Sequence, residues 1–237
     1  RELLRTARME LYYCGSADTD RVEAAFRAAL AGLERAEADE LVALECAVRG
    51  GRGQAEPRCY EDALDVTQGK LALGFRTGGS SIWEDDYPAL MMLNALYGGT
   101  TTSKLFLNVR EKRSLCYYAS SQLEKLKGLM LVSSGVEFDK KQEAQDEILA
   151  QLENCRQGRF DAQELEAARR SVVSSLGALT DSQSRLEDYW LGQAAAGVDE
   201  TPEALSARLE RVNAQQVQAA ANKLELDTVY FLKGKEA

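Results

Sequence analysis

The sequence predicts an α+β fold, a two-layer arrangement in which a mixed or antiparallel sheet of about six strands packs against helices. Three observations carry that prediction. Short apolar or alternating runs recur along the chain, amphipathic stretches with helical spacing fill most of the remainder, and the two kinds of element are largely segregated. A doubly wound parallel sheet needs regular alternation of strand and helix, so the segregation favours a sandwich.

Residues 9–14 (MELYYC) form an apolar and aromatic run closed by Gly15-Ser16, and read as the first strand. Asp18 to Asp20 offer capping oxygens to a helix whose Val22, Ala25, Phe26 and Ala29 share one face. Between Glu34 and Pro57 the pattern is mixed; it suggests a short segment at 41–48 and then an exposed loop through Gly50, Gly51 and Gly53. Two strands follow at 60–66 and 70–76, joined near Gln68-Gly69, with Leu71, Leu73 and Phe75 alternating in the manner of a half-buried sheet. Gly78-Gly79-Ser80-Ser81 breaks that run. A helix over 87–97 has Pro88 in its first turn. Gly98-Gly99 should close it, because glycine accepts left-handed backbone angles. Ser103 can cap a helix over 104–113 that puts Leu105, Phe106 and Val109 on one side.

Residues 117–122 and 129–136 read as a hairpin turning at 125–128. Helices are expected over 140–156, stopped by Gly158, over 162–179 and over 183–196, the last two separated by Thr180-Asp181-Ser182. Residues 206–224 suit two short helices, with Asn213 capping the second, and 228–233 (TVYFLK) suit a final strand. No linker, low-complexity segment or internal repeat interrupts the chain, so residues 1–237 are expected to form a single domain.

Composition narrows the function. With 45% hydrophobic and 28% charged residues and only 3 prolines, the chain is suited to a packed core. A formal net charge of −9 argues against nucleic-acid binding, which needs a basic face. No run of about 18 apolar residues is available to span a membrane. The chain opens on Arg1 in a helix-like pattern (RELLRTA) without a signal segment, and is read as a piece of a longer protein. It contains no histidine, which rules out Ser-His-Asp and Cys-His catalysis and any histidine-ligated metal site within it. The five cysteines (Cys14, Cys46, Cys59, Cys116, Cys155) are scattered and form no C-x-x-C pair, so no zinc site is expected of them. Such thiols suit a reducing cytoplasm and serve as small core residues.

The densest chemistry lies in GGTTTSKLFLNVREKRSLCYY, residues 98–118. Between Thr100 and Met130, Lys104, Arg110, Lys112, Arg113, Lys125 and Lys127 face only Glu111 and Glu124, a local reversal of the overall sign. That reversal suits a site for something anionic or carbonyl-rich, and equally a solvated helix face. Gly98-Gly99 lacks the lysine spacing of a phosphate loop. Glu84, Asp85 and Asp86 fit a helix start better than a carboxylate metal site.

The segment GGTTTSKLFLNVREKRSLCYYASS resembles the second half of insulinase-like (pitrilysin-type) zinc metallopeptidases, the family of the mitochondrial processing peptidase, in its Arg-Glu-Lys-x-x-Leu-x-Tyr core behind a Gly-Gly. MELYYCGSADTDRVEAAF, QGKLALGFRTG and GLMLVSSGVEFDKKQEAQDEILAQL extend the resemblance over nearly the whole chain. It implies an inactive half-domain, without zinc, that closes with a zinc-bearing half around a peptide. That partner lies upstream in the same polypeptide or on a separate subunit. The resemblance assigns Arg110 and Tyr117 to substrate binding, with Gly98, Gly99 and Ser103 as a supporting loop. It assigns no catalytic residue and no metal to this chain, and leaves zinc to the partner half. A second implied reading is a degenerate, non-proteolytic scaffold or partner subunit. The sequence departs from the family where R-E-K-x-G-L-x-Y has glycine and a small residue: Ser114 and Cys116 stand there. A left-handed turn at that point would strain Ser114 mildly, and no histidine base accompanies Cys116.

Overall fold

Among the residues described by the computed structural model (2–7, 9–35, 51 and 56–235), five runs pair into one sheet. They are β1 (Arg58–Leu64), β2 (Gly69–Arg76), β3 (Cys116–Glu124), β4 (Leu129–Val136) and β5 (Glu225–Gly234), in the order β1-β5-β2-β4-β3. The helices are α1 (Glu2–Thr6), α2 (Thr19–Leu30), α3 (Tyr87–Asn94), α4 (Lys141–Arg156), α5 (Ala162–Gly177), α6 (Gln183–Ala196), α7 (Pro202–Glu210) and α8 (Ala214–Lys223). Two compact units result. Residues 48–177 and 201–237 hold the sheet with α3, α4, α5, α7 and α8; residues 1–47 and 178–200 hold α1, α2 and α6.

In the sheet unit, period-two alternation does what the sequence implies. Leu71, Leu73 and Phe75 of β2 are buried, and their cross-strand partners Ser134, Val132 and Met130 on β4 are buried with them. Val229 and Phe231 of β5 join the same face, where Leu90, Met92 and Leu93 of α3, Ile148 and Leu152 of α4 and Val217 of α8 complete the core. β1 and β2 are consecutive but do not pair. β5 lies between them, parallel to β1 and antiparallel to β2, so the two strands expected around Gln68-Gly69 are joined in sequence only. Every residue of β1 is exposed, because its sequence RCYEDAL offers no apolar face. Charge ties it down instead: Lys233 lies 2.6 Å from Glu61, and Arg58 pairs with Asp227. Asp227 is the extra residue of a bulge in β5, between the pairs Gly74↔Thr228 and Phe75↔Leu226, and also accepts from Arg76 Nε at 2.8 Å. Burial would raise this carboxyl. Hydrogen bonds from Thr228, Arg58 and Arg76 outweigh it and hold Asp227 well below the usual carboxylate range.

Several local expectations hold in detail. Asn213 forms a reciprocal capping box with Gln216 at the start of α8, and Gly128 and Gly158 adopt positive φ at the hairpin turn and after α4. Gly98-Gly99 is a correction. Neither glycine has a positive φ; the chain leaves α3 through a π-helical turn, Ala95–Gly99, and closes without a left-handed residue. Their need for glycine is steric: a Cβ on Gly98 would lie 2.7 Å from Leu105 Cδ1 and from Ser121 N, and one on Gly99 would lie 2.8 Å from Asn94 Nδ2.

In the smaller unit, Asp18 caps α2 as expected, its Oδ1 accepting from Arg21 N at 3.2 Å. Residues 9–14 do not form the expected strand. A strand needs a neighbour to take its ladder hydrogen bonds, and this segment pairs with none among the described residues. Tyr13 folds back instead, its hydroxyl accepting from Ala17 N at 2.9 Å. α2 buries none of its residues; Val22, Phe26 and Leu30 line an open groove of about 810 Å³ with Leu11, Tyr12 and Tyr13. The segment expected at 41–48 lies outside the described residues.

Candidate functional site

The stretch from Ser103 to Tyr117 is built as a wide helical turn, a left-handed corner and a bulge. Buried Ser103 starts it, its Oγ accepting from Phe106 N at 3.4 Å. Lys104 is buried beside Glu164 at 2.7 Å. Residues Leu105–Lys112 then wind as a π-helix rather than the α-helix expected over 104–113. Leu105 and Val109 face the core, while the Arg110 side chain on the other side is 40% exposed. At the end of this helix Arg113 N donates to Asn108 O at 3.2 Å, Ser114 N to Arg110 O at 3.1 Å and Leu115 N to Val109 O at 3.1 Å. Ser114 sits at φ 52°, the positive-φ non-glycine residue of the described chain, in the place where the family pattern has glycine.

A bulge follows at once. Cys116 pairs with Val136 and Tyr118 with Gly135, which leaves Tyr117 without a partner across the ladder. Farther along β3, Ala119 and Ser121 turn inward while Tyr118 and Gln122 turn outward. Strict alternation would send Tyr117 inward with Ala119. The extra residue reverses that, and Tyr117 is 58% exposed.

Arg110 and Tyr117 are thereby brought to one open cavity of about 370 Å³, lined also by Glu111, Ser114, Leu115, Cys116 and Glu137. Arg110 stacks on the Phe106 ring, 4.7 Å from its centroid, and lies 3.6 Å from Glu111. An exposed pair at that distance leaves the guanidinium fork available to other acceptors. Burial pushes the Cys116 thiol up, against a hydrogen bond to Ser134 and the charge of Arg110 that favour its thiolate, so it is protonated at neutral pH. Gly98, Gly99 and Ser103 do not line this cavity. Gly98 fits between Leu105 and the backbone of Ser121. Glu147 and Gln151 of α4, which the sequence did not single out, reach the same wide turn: Glu147 pairs with Arg113 at 3.2 Å, and Gln151 accepts from Asn108 at 2.9 Å. Their only sequence signal is a pair of polar residues on the apolar side of a helix.

The acid run plays a structural part. The Asp86 carboxylate, at the head of α3, accepts from Ser80 Oγ and from Lys223 Nζ of α8, both at 2.6 Å. Burial opposes its charge, but these two partners outweigh burial and hold its carboxyl below the ordinary value. The carbonyls of Glu84 and Asp85 accept from Arg208. Among the described residues no cluster of histidine, cysteine or acidic side chains could hold a metal ion. With no histidine in the sequence, a histidine-ligated zinc site is not available to this chain.

The family model for the peptidase M16 inactive domain matches residues 1–172. A probable inactive metalloprotease of Bacillus subtilis, YmfF, is 35% identical over 96% of this chain and 52% of its own length. A conserved protein of Enterococcus faecalis has a solved structure that superimposes with a TM-score of 0.70 at 31% identity, covering 80% of this chain and 44% of that one. A protease from Helicobacter pylori shares the fold, with a TM-score of 0.80 at 19% identity over 92% of this chain and 53% of that one. The chain belongs to the peptidase M16 inactive-domain family. It spans about half the length of these relatives. No described helix is long and apolar enough to cross a membrane.

Proposed function

We propose that this chain is the non-catalytic half of an insulinase-like zinc metallopeptidase and completes the peptide-binding chamber of a zinc-bearing half. In this reading residues 1–237 belong to one inactive half, and the zinc-bearing half is upstream in the same polypeptide or on a separate subunit. The observation that carries it is the convergence of Arg110 and Tyr117 on one cavity, with the tyrosine turned outward by a bulge. A guanidinium presents a fixed fork of donors to peptide carbonyls, and a phenol can donate to an oxyanion developing at the scissile carbonyl. Gly98, Gly99 and Ser103 support that surface from the adjoining turn. Zinc and the general base belong to the partner half, and a peptide is the substrate. The apolar groove on α2, open among the described residues, supports a larger assembly. Free thiols at Cys14, Cys59, Cys116 and Cys155 support a reducing compartment, and we place the protein in the cytoplasm.

The test is peptidase activity with zinc, first of this chain alone and then of the chain mixed with its zinc-bearing half. Activity is expected only in the mixture, falling about a hundredfold in Tyr117→Phe, the range for loss of one oxyanion donor. Activity from this chain alone overturns the reading. The name of the Bacillus relative, a probable inactive metalloprotease, favours a second reading. There the assembled protein is a degenerate, non-proteolytic partner subunit, and silence of both samples would select it.

A further inference from the structure

Against the wide turn that carries Arg110 lies a buried carboxylate. Glu147 is 9% exposed, and its two oxygens take different partners: Oε2 lies 3.2 Å from Arg113 Nε, and Oε1 accepts from Gln151 Nε2 at 2.6 Å. Gln151 Oε1 accepts in turn from Asn108 Nδ2 at 2.9 Å. Asn108 and Arg113 are the two ends of the i to i−5 hydrogen bond that closes the wide turn, and Arg110 lies between them. One acceptor system on α4 therefore grips both sides of the turn. Ser114, next in the chain, is left-handed, and Tyr117 follows in the bulge. A buried charge gripped in this way constrains geometry more than it adds stability, since its desolvation offsets most of the attraction.

We propose that Glu147 is a positioning residue for the Arg110–Tyr117 pair, setting the wide turn from which Arg110 projects and the corner that leads to the bulge at Tyr117. The proposal rests on the reading of that pair as substrate-facing, but its test does not need a substrate. Cys116 lies in the same cavity, and the charge of Arg110 favours its thiolate, so the pH profile of its alkylation reports where Arg110 sits. The other charged groups lining that cavity, Glu111 and Glu137, stay constant in every variant.

The experiment is iodoacetamide labelling of the full-length protein across a pH series, resolved by site with mass spectrometry and referenced to exposed Cys59 on β1. Arg110→Ala should raise the Cys116 midpoint and slow its labelling about threefold at a fixed pH below that midpoint. Glu147→Ala should do the same, because Arg110 is released from its turn, and the double variant should add nothing further. The direction is diagnostic: removing a nearby negative charge by itself would favour the thiolate and lower the midpoint. Glu147→Gln, which keeps an acceptor for Arg113, should shift Cys116 in the same direction but less, and carries the test if Glu147→Ala does not fold. An unchanged Cys116 profile in a folded Glu147 variant, a lowered midpoint, or additive effects in the double variant would overturn the proposal. If instead Tyr117→Phe left the peptidase of the mixture intact, the substrate reading would fail and this labelling result would stand.

Discussion

Helices α2 and α4 are written in the same language and end in opposite situations. Each carries apolar residues at helical spacing: Val22, Phe26 and Leu30 in one, Ile148, Leu152 and Cys155 in the other. α4 buries Ala144, Ile148, Leu152 and Cys155 almost completely, and burial pushes the Cys155 thiol up to about 12. α2 buries nothing. An apolar stripe states that a helix needs cover, and only the surrounding surface decides whether it has any. Among the described residues one such stripe faces an open groove.

The comparison can be broken or sharpened by substitution, and the largest effect belongs to α4. Ile148→Ala should cost about 2–5 kcal/mol in urea unfolding, because it leaves a cavity in a core that cannot collapse to fill it. Asp227→Asn should cost about 2 kcal/mol at neutral pH by leaving Arg76 underpaired next to the bulge. The sign of its pH dependence follows from the depressed carboxyl: its contribution is fully present above the unfolded value near pH 4 and is lost as the pH falls toward the lower native value. Unfolding curves at pH 7, 4 and 3 should therefore converge between wild type and Asp227→Asn on the acid side. Gly98→Ala should cost about 1–3 kcal/mol, because the new methyl meets the backbone of Ser121 and not only the end of a flexible side chain. Phe26→Ala on α2, where the ring is only half-buried in the open groove, should cost about 1 kcal/mol, well below Ile148→Ala. A loss comparable to that of Ile148→Ala would mean that the stripe on α2 is covered after all.

Much of the fold was legible because its signals are local. The alternation of Leu71, Leu73 and Phe75, the hairpin ending at Gly128 and the caps at Asp18 and Asn213 each need only a few neighbouring residues to be recognised. Gly98-Gly99 was legible as glycine but not in its reason, since the close approach of the Ser121 backbone comes from another element, β3. Residues 9–14 carry a strand pattern without a strand, because a ladder requires a second segment that the pattern does not name. At the candidate site, motif resemblance points to Arg110 and Tyr117, and Ser114, standing where the motif has glycine, is the residue that takes the left-handed corner. Glu147 and Gln151 carry only a weak signal, two polar residues on the apolar side of α4, and nothing local names the partners they bury against.

By itself, then, the sequence determined where most strands and helices of the sheet unit lie, though not the π-helical winding of Ala95–Gly99 and Leu105–Lys112, together with the absence of histidine chemistry and the seven-residue spacing of Arg110 and Tyr117. Tertiary structure alone decided that β5 would separate β1 from β2, that a bulge would turn Tyr117 outward, and that a carboxylate on α4 would grip the turn bearing Arg110. The physical reason is range. Propensity, capping and alternation act over a few residues, whereas strand order, ladder register and the pairing of buried charges are settled only when distant segments compete for the same partners.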